Sequence, residues 1–569
     1  MSQPGAGGSW LGAIILGLAV VISACAPSSV APAAGLERRP ADSSPARATL
    51  LTLAVPSEPT GMSDKIYQAA SNMDNLFQAN LMYLDDRDNP QPLLALRAPT
   101  QADGSWQVFP DGTMRTTYTL KPDLKWQDGQ PLVAEDFVFA HAVYTDDEIP
   151  VDTRIPEVLM TGVAAPDSRT VDISWNQPFF GAGRLANHDL TPIPRHLMGE
   201  LYARDKAAFL SSPYWFSEEH VSAGPFRLTA WDRGAGLTFA ANPYFALGKP
   251  GIDTIRVVFV ADPNTVVARM LAGAVDVFPT ATTALALTLK ERWQADNGGN
   301  LYIMSQRVNR LAFQFRDVPG LQRAVLDVRV RQALMHAIDR VALAEAIEGS
   351  LGMAADTAWP PGSPLNPRME QVIARYPFDT GRALALLRDA GWTAGPDGRL
   401  LDSGGRTLDV EIRSGEAQDA SIISDNWKQV GVNPAAVLIT GILRRDDEWR
   451  AHFPATQIAS TGQGYLTNLY TPSAPNAATG WRGSQNRGTY NNPEFNRLYE
   501  LQLTALDPAK RDDILVELER IITHDVPVGF TTYNSDPVVA RSNVKGLRTA
   551  SKEMSNSLWN VWEWTVEDR

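Results

Sequence analysis

A side chain does chemistry only when its partners stand at a workable spacing, and few reactive residues of this chain do. Its 569 residues include seven histidines, at 141, 188, 196, 220, 336, 452 and 524. His188 and His196 are closest, eight apart across a Pro-containing stretch, which is no recognised metal-ligand spacing. Neither HExxH nor GxSxG occurs. A phosphate-cradling GxxxxGK[ST] loop is also missing. Gly248-Lys249-Pro250 lacks both the glycine spacing and the hydroxyl, so ATP hydrolysis is not encoded here. Glu135 and Asp136 come nearest to a carboxylate pair, but adjacent residues of a helix point about 100° apart. They read instead as anions favoured by a helix start. The run Arg444-Arg445-Asp446-Asp447-Glu448 reads as a solvated face. The fifteen tryptophans outnumber the fourteen tyrosines and are scattered, which suits cores and a ligand-lined cleft equally. The expectation is therefore a protein that is no enzyme and holds no cofactor and no metal.

The most informative reactive group is the lone cysteine. One cysteine excludes an intrachain disulfide and any Cys-based zinc site. Cys25 closes a run of fourteen apolar or small residues, 11–24. A spanning helix needs about 20 residues, whereas this length suits the h-region of a signal peptide. Ile22-Ser23-Ala24-Cys25 resembles a bacterial lipobox, in which the cysteine is lipidated and becomes the mature N-terminus. Residues 26–47 are rich in Ala, Pro and Ser and show no apolar periodicity, so they cannot bury enough surface to offset ordering. The expected organisation is a lipoprotein signal peptide at 1–24 and a flexible tether at 25–47, with a reach of roughly 25–30 Å. No later segment approaches 18 consecutive apolar residues.

These reactive residues need elements to position them. Single cores stop growing near ~250–300 residues, so the length implies two or more lobes. With 51 basic and 64 acidic side chains the net charge is −13 and the pI about 5.1, which argues against nucleic acid as a partner. Residues 50–55 form a β-prone run stopped by Pro56. Met114, Thr116, Tyr118 and Leu120 alternate with polar neighbours, the period of a half-buried strand. Ala134 opens a helix. Residues 255–260 read as a buried strand, followed by a helix to Gly273 and a strand from Asp276, a βαβ unit. Asp327 and Asp379 each stand where a helix N-cap belongs. The class is α/β.

Several of these patterns occur in one familiar order. They begin with Val55-Pro56-Ser57-Glu58-Pro59 and pass through Pro110-Asp111-Gly112 and Tyr118-Thr119-Leu120-Lys121. Leu124-Lys125-Trp126-Gln127-Asp128-Gly129 runs on to Ala134-Glu135-Asp136. Then come Gly224-Pro225-Phe226-Arg227-Leu228 with Trp231, Asn242-Pro243-Tyr244-Phe245, and Leu271-Ala272-Gly273-Ala274-Val275-Asp276. Asp327-Val328-Arg329-Val330-Arg331-Gln332-Ala333-Leu334 leads to Ala337-Ile338-Asp339-Arg340. Phe378-Asp379 and Ala390-Gly391-Trp392 close the series. In this the chain resembles the bacterial extracellular solute-binding protein family 5, the peptide/nickel-type receptors of ABC importers.

The resemblance implies a bilobed, periplasmic-binding-protein-like (Venus flytrap, type II) α/β fold with an extra domain inserted in lobe I. Lobe I is expected at 48–86, 222–304 and 525–569, the insert at 87–221 and lobe II at 305–524. It also implies a receptor that captures an oligopeptide-like small solute and delivers it to a membrane permease. Its partners would be the ABC permease and ATPase subunits and the membrane, through a lipid anchor at Cys25. The protein would be a monomer of the cell envelope, on the outer face of the cytoplasmic membrane or in the periplasm. Peptide binders of the family hold the α-amino group with an Asp; the corresponding stretch, 459–476, has no acidic residue. A buried ammonium without a carboxylate is costly. Two alternatives stay open: a non-peptide ligand (oligosaccharide, opine-like compound or chelated metal), and remotely a secreted lipoprotein hydrolase. Expected wall residues are Glu58, Asn309, Trp359, Arg413, Tyr465, Asn468, Trp481 and Arg482. Arg413 or Arg482 would pair with a ligand carboxylate or phosphate, and the tryptophans would stack.

Overall fold

The computed structural model describes residues 48–567, apart from 68–72, 152–153, 305–306, 482–485 and 550–556. Residues 1–47, with Cys25, the apolar run and the tether, lie outside the described residues, as does Arg482. Ala48–Arg569 forms one compact unit. Among the described residues no helix is long and apolar enough to cross a membrane.

Two sheets organise the protein. In the seven-stranded sheet, Leu50–Val55 runs parallel to Thr254–Phe259, with Leu50 opposite Thr254. Leu51, Leu53, Ile255 and Val257 are fully buried there. The expected βαβ step is present but skips a strand. Thr254–Phe259, the helix Pro263–Leu271 and Val277–Phe278 follow one another, and Leu50–Val55 lies between the two strands. The Asp262 carboxylate caps that helix by accepting from the Asn264 and Thr265 amides. Gly273 ends it at φ 74°, a conformation a Cβ would strain.

The inserted region carries its own four-stranded sheet, ordered Trp106–Val108, Met114–Thr119, Thr170–Trp175, Met160–Asp167. The helix Ala134–Thr145 lies between the second of these strands and Met160–Asp167 in the chain. Its Asp136 accepts from the Val133 amide at 3.0 Å and from Trp126 Nε1 at 3.1 Å, the helix-start role expected of it.

The six-stranded sheet contains Val308–Phe313, Met353–Ala354, Asp409–Ser414, Asn433–Leu438, Thr456–Thr461 and Val528–Tyr533. The helices Val328–His336 and Thr380–Asp389 share its core. Both begin at the expected caps, Asp327 accepting from the Arg329 amide and Asp379 from the Arg382 amide. Val330, Leu334, Ala337 and Ile338 are all fully buried, as their spacing requires.

The chain passes from the first sheet to the second between Ile303 and Val308 and returns between Tyr533 and Pro537. The return corrects the expected boundary at 525. All six residues of Val528–Tyr533 are buried, and the strand pairs antiparallel with Val308–Phe313, so it belongs to lobe II. The two crossings lie side by side. The Met304 amide donates to the Ser535 carbonyl at 3.2 Å and the Asn534 amide to the Arg307 carbonyl at 3.0 Å.

Candidate functional site

Strand ends build the site. In open α/β sheets ligands settle outside the carboxyl ends of parallel strands, where the chain turns into helices and leaves backbone and side chains facing a crevice. Here Asp409–Ser414 ends at Ser414, Gly415 and Glu416 follow, and a helix runs over Ala417–Gln429. In the other sheet Val277–Phe278 leads through residues 280–282 into the helix Thr283–Trp293. Between them lies a cavity of about 730 Å³. Lobe I supplies residues 280–283 and Pro537. Lobe II supplies Asn309, Glu348, the 414–419 corner, Ile439, Arg444, Arg450 and residues 457–460 of the strand Thr456–Thr461. Arg307, Asn534 and Asp536 of the crossings form part of the wall.

Fixed hydrogen bonds hold this wall. Glu348 is 6 % exposed and its Oε2 accepts from Thr283 of lobe I and, at 2.5 Å, from Ser535 Oγ of the crossing. One lobe II carboxylate thereby ties both lobes to the hinge. Arg307 Nε donates to Asp536 Oδ1 at 3.0 Å, bracing the two crossings. Asp419 Oδ1 accepts from Ser414 Oγ at 2.9 Å. Burial nevertheless pushes its carboxyl up to about 6. A Cβ at Gly415 would stand 3.1 Å from Arg444 Nη2, the far end of an exposed side chain.

Of the expected wall residues, Asn309 borders this cavity, and its Nδ2 donates to Thr532 Oγ1 at 3.0 Å. The rest of the described set lies elsewhere. The Glu58 carboxylate is held by Trp231 Nε1 at 2.7 Å, the Gly234 amide at 2.9 Å and Arg233, fastening the chain after the first strand to a hairpin. Trp359 Nε1 donates to the Tyr465 hydroxyl at 3.1 Å, and that hydroxyl donates to Glu519, which is fully buried. Asn468 Nδ2 reaches Thr461 Oγ1 at 2.9 Å. Trp481 packs edge-on to His452, with ring centroids 4.6 Å apart. Arg413 is 8 % exposed, pairs with Glu411 at 2.8 Å, donates to the Trp449 carbonyl at 2.6 Å and covers the Trp449 ring. It positions the short helix Asp447–Ala451, which carries Arg450 to the cavity.

Sequence reasoning missed Glu348, Glu416, Asp419, Arg444 and Arg450. Arg444 stands in the charge run taken for a solvated face. The signal available was the position of Glu416 just past the alternating run Leu408-Asp409-Val410-Glu411-Ile412, since the end of a strand is the usual place for a crevice residue. Among the described residues no group of three or more His, Cys, Asp or Glu side chains is placed to hold a metal ion.

The family model described as bacterial extracellular solute-binding proteins, family 5 Middle, matches residues 98–478. Protein XP55 of Streptomyces lividans is 25 % identical over 516 residues, covering 89 % of this chain and 88 % of that protein. Among solved structures, the oligopeptide binding protein from Thermus thermophilus complexed with a pentapeptide aligns with a TM-score of 0.73 at 22 % identity. It covers 91 % of this chain and 96 % of that one. NikZ from Campylobacter jejuni in complex with Ni(L-His) aligns with a TM-score of 0.73 at 19 % identity, covering 91 % and 99 %. At such identities these structures speak for the fold: two α/β lobes with a further domain inserted in the first.

Proposed function

Because the chain belongs to the bacterial extracellular solute-binding protein family 5, a family of binding proteins rather than catalysts, we propose that it captures an oligopeptide-like small solute between its lobes for an ABC importer. The observation that carries this reading is the polar cavity of about 730 Å³ walled by both lobes and by the crossings that join them. Its size is that of small-molecule sites. Lobes joined by two adjacent crossings close as rigid bodies about that hinge, sequestering the solute and presenting one surface to the permease.

The ligand class draws on the lining. Residues 459–476 lack the amine-holding carboxylate, yet Glu348, Glu416 and Asp419 bring carboxylates to the cavity from other segments. An ammonium group therefore has partners by a different route, which keeps a peptide-like ligand in the lead. The lining has aliphatic and polar side chains and, among the described residues, no aromatic ring, so a sugar stacked on tryptophan gains no support from it. An opine-like or chelate ligand is the second reading. It is favoured by the Ni(L-His) complex of one structural neighbour and the agropinic acid complex of another, from Agrobacterium tumefaciens.

Cys25 is our proposed lipid anchor, holding a monomer at the cell envelope. The test of capture is solution scattering of the purified protein with di- to pentapeptides, agropinic acid and Ni(L-His). Binding should compact the protein and, with the cognate permease and ATPase in liposomes, stimulate ATP turnover. If every bound solute left both compaction and ATP turnover unchanged, the transport reading would be wrong. For the anchor, Cys25→Ser should move the protein from the membrane to the soluble fraction; retention of the variant in the membrane overturns it.

A further inference from the structure

The inserted domain holds a second cavity, which shares no lining residue with the one between the lobes. It offers about 770 Å³ between the helices Ala134–Thr145 and Arg195–Arg204, as much room as the first. Both helices start from one anchor. The Asp136 carboxylate accepts from the Val133 amide at 3.0 Å with one oxygen and from the Arg195 amide at 3.0 Å with the other. The two helix starts, where an anion would otherwise settle, are thus already served by a side chain. Its neighbour Glu135 has no such task. Glu135 lines the cavity, and its Oε2 is shut off from solvent and meets no donor among the described residues. Glu200 brings a further carboxylate from the facing helix. Against these three acids the lining sets Arg195 and His196, and His196 Nε2 faces Asp128 Oδ2 at 2.7 Å.

The rest of the wall suits an organic body. Phe139 and Tyr202 meet edge-on there, with ring centroids 5.5 Å apart, and the Tyr202 hydroxyl is spent on Asp146 at 2.6 Å. Lys206 lies over the Tyr202 ring, but Asp146 and Glu148 hold it at 2.7 and 2.8 Å, and it is no part of the lining. Gly199 stands in the wall at mid-helix, where glycine weakens a helix relative to alanine. A Cβ there would meet only the Arg195 side chain, its Cγ at 3.0 Å, so no neighbouring element requires the glycine. Its missing side chain keeps that space open. A carboxylate oxygen drawn out of water without a donor costs free energy, and a bound cation offsets that cost. Aromatic rings beside it shelter apolar carbon. We propose that this cavity is a second ligand site, taking a small organic ammonium compound. Its charge pairs with Glu135 and its apolar part rests on Phe139 and Tyr202. The site is independent of what the cleft captures.

The experiment is calorimetric titration of the full-length protein with phenethylamine, its uncharged counterpart 2-phenylethanol and the anion 3-phenylpropionate. The amine should bind saturably, and the other two more weakly by about tenfold or more. Glu135→Gln should weaken amine binding about ten- to hundredfold, the range for losing a charged hydrogen bond. Gly199→Leu fills the cavity without touching its charge and should weaken the amine as well. Asp419→Asn, in the cleft between the lobes, should leave amine binding unchanged. Circular dichroism checks that each variant folds, and if Glu135→Gln does not, Gly199→Leu carries the test. The inference is overturned if the amine does not bind, or if the alcohol or the acid binds as tightly. It is equally overturned if amine affinity survives Glu135→Gln or Gly199→Leu in folded protein, or falls with Asp419→Asn. Failure of capture shows differently, as solutes of any charge leaving the scattering profile unchanged.

Discussion

Asp419 shows how a single residue reports on the cleft. Its carboxyl is buried in the wall, and burial outweighs the Ser414 and Ala420 donors that favour its anion, which pushes it up to about 6 from the usual 3.8. A carboxyl raised in the folded state binds protons there that the unfolded chain has released. Folding stability therefore falls as pH rises from about 4 to about 6, by up to about 3 kcal/mol from this group alone. Asp419→Asn should abolish that slope and stabilise the protein at pH 7.5 relative to the parent, measured by urea unfolding at pH 4.5 and 7.5. An unchanged difference between the two pH values would show the carboxyl to be solvated. Residues such as this were not legible in the sequence. Trp359 and Tyr465 have the chemistry of ligand contacts, but they spend it on each other and on Glu519 inside the core. Side-chain type cannot tell a wall from a core when the deciding partner lies 54 residues away.

At the level of elements the sequence was far more informative, because caps and periodicity act locally. Asp262, Asp327 and Asp379 each cap the helix that follows them. Replacing Asp379 by Ala should cost about 1 kcal/mol, read as a lowered urea midpoint with an unchanged m-value, since the Arg382 amide loses its acceptor. The strand Val528–Tyr533 was misassigned for a physical reason. VGFTTY is buried on both faces and shows no alternation, so nothing in its pattern says which sheet it joins. Pairing partners such as Val308 and Tyr533 are set by topology, which spacing along the chain does not encode. The cavity suffers the same limit, assembled as it is from strand ends far apart in the chain, between residues 280 and 537.

For the whole molecule the question is what favours the closed arrangement. Thr283 from lobe I donates to Glu348 from lobe II, beside the hinge. Elsewhere the Arg511 guanidinium of lobe II lies 3.6 Å over the Phe180 ring of the inserted domain. Such a contact is worth about 0.5–2 kcal/mol. Phe180→Ala should shift the population toward the open form, seen as a larger radius of gyration without ligand and weaker solute binding. An unchanged radius would mean that the contact does not hold the lobes together. The sheet order has one more consequence, for the history of the chain rather than its action. Pro537–Arg541 sits between Gly299–Ile303 and Val277–Phe278, although it is made long after either of them. Lobe II is complete at Tyr533, while lobe I waits with a gap in its sheet until nearly the last residues emerge. The second lobe to be written is thus the first that can finish folding, and two strands of the first sheet are held apart for one made only after that lobe is complete.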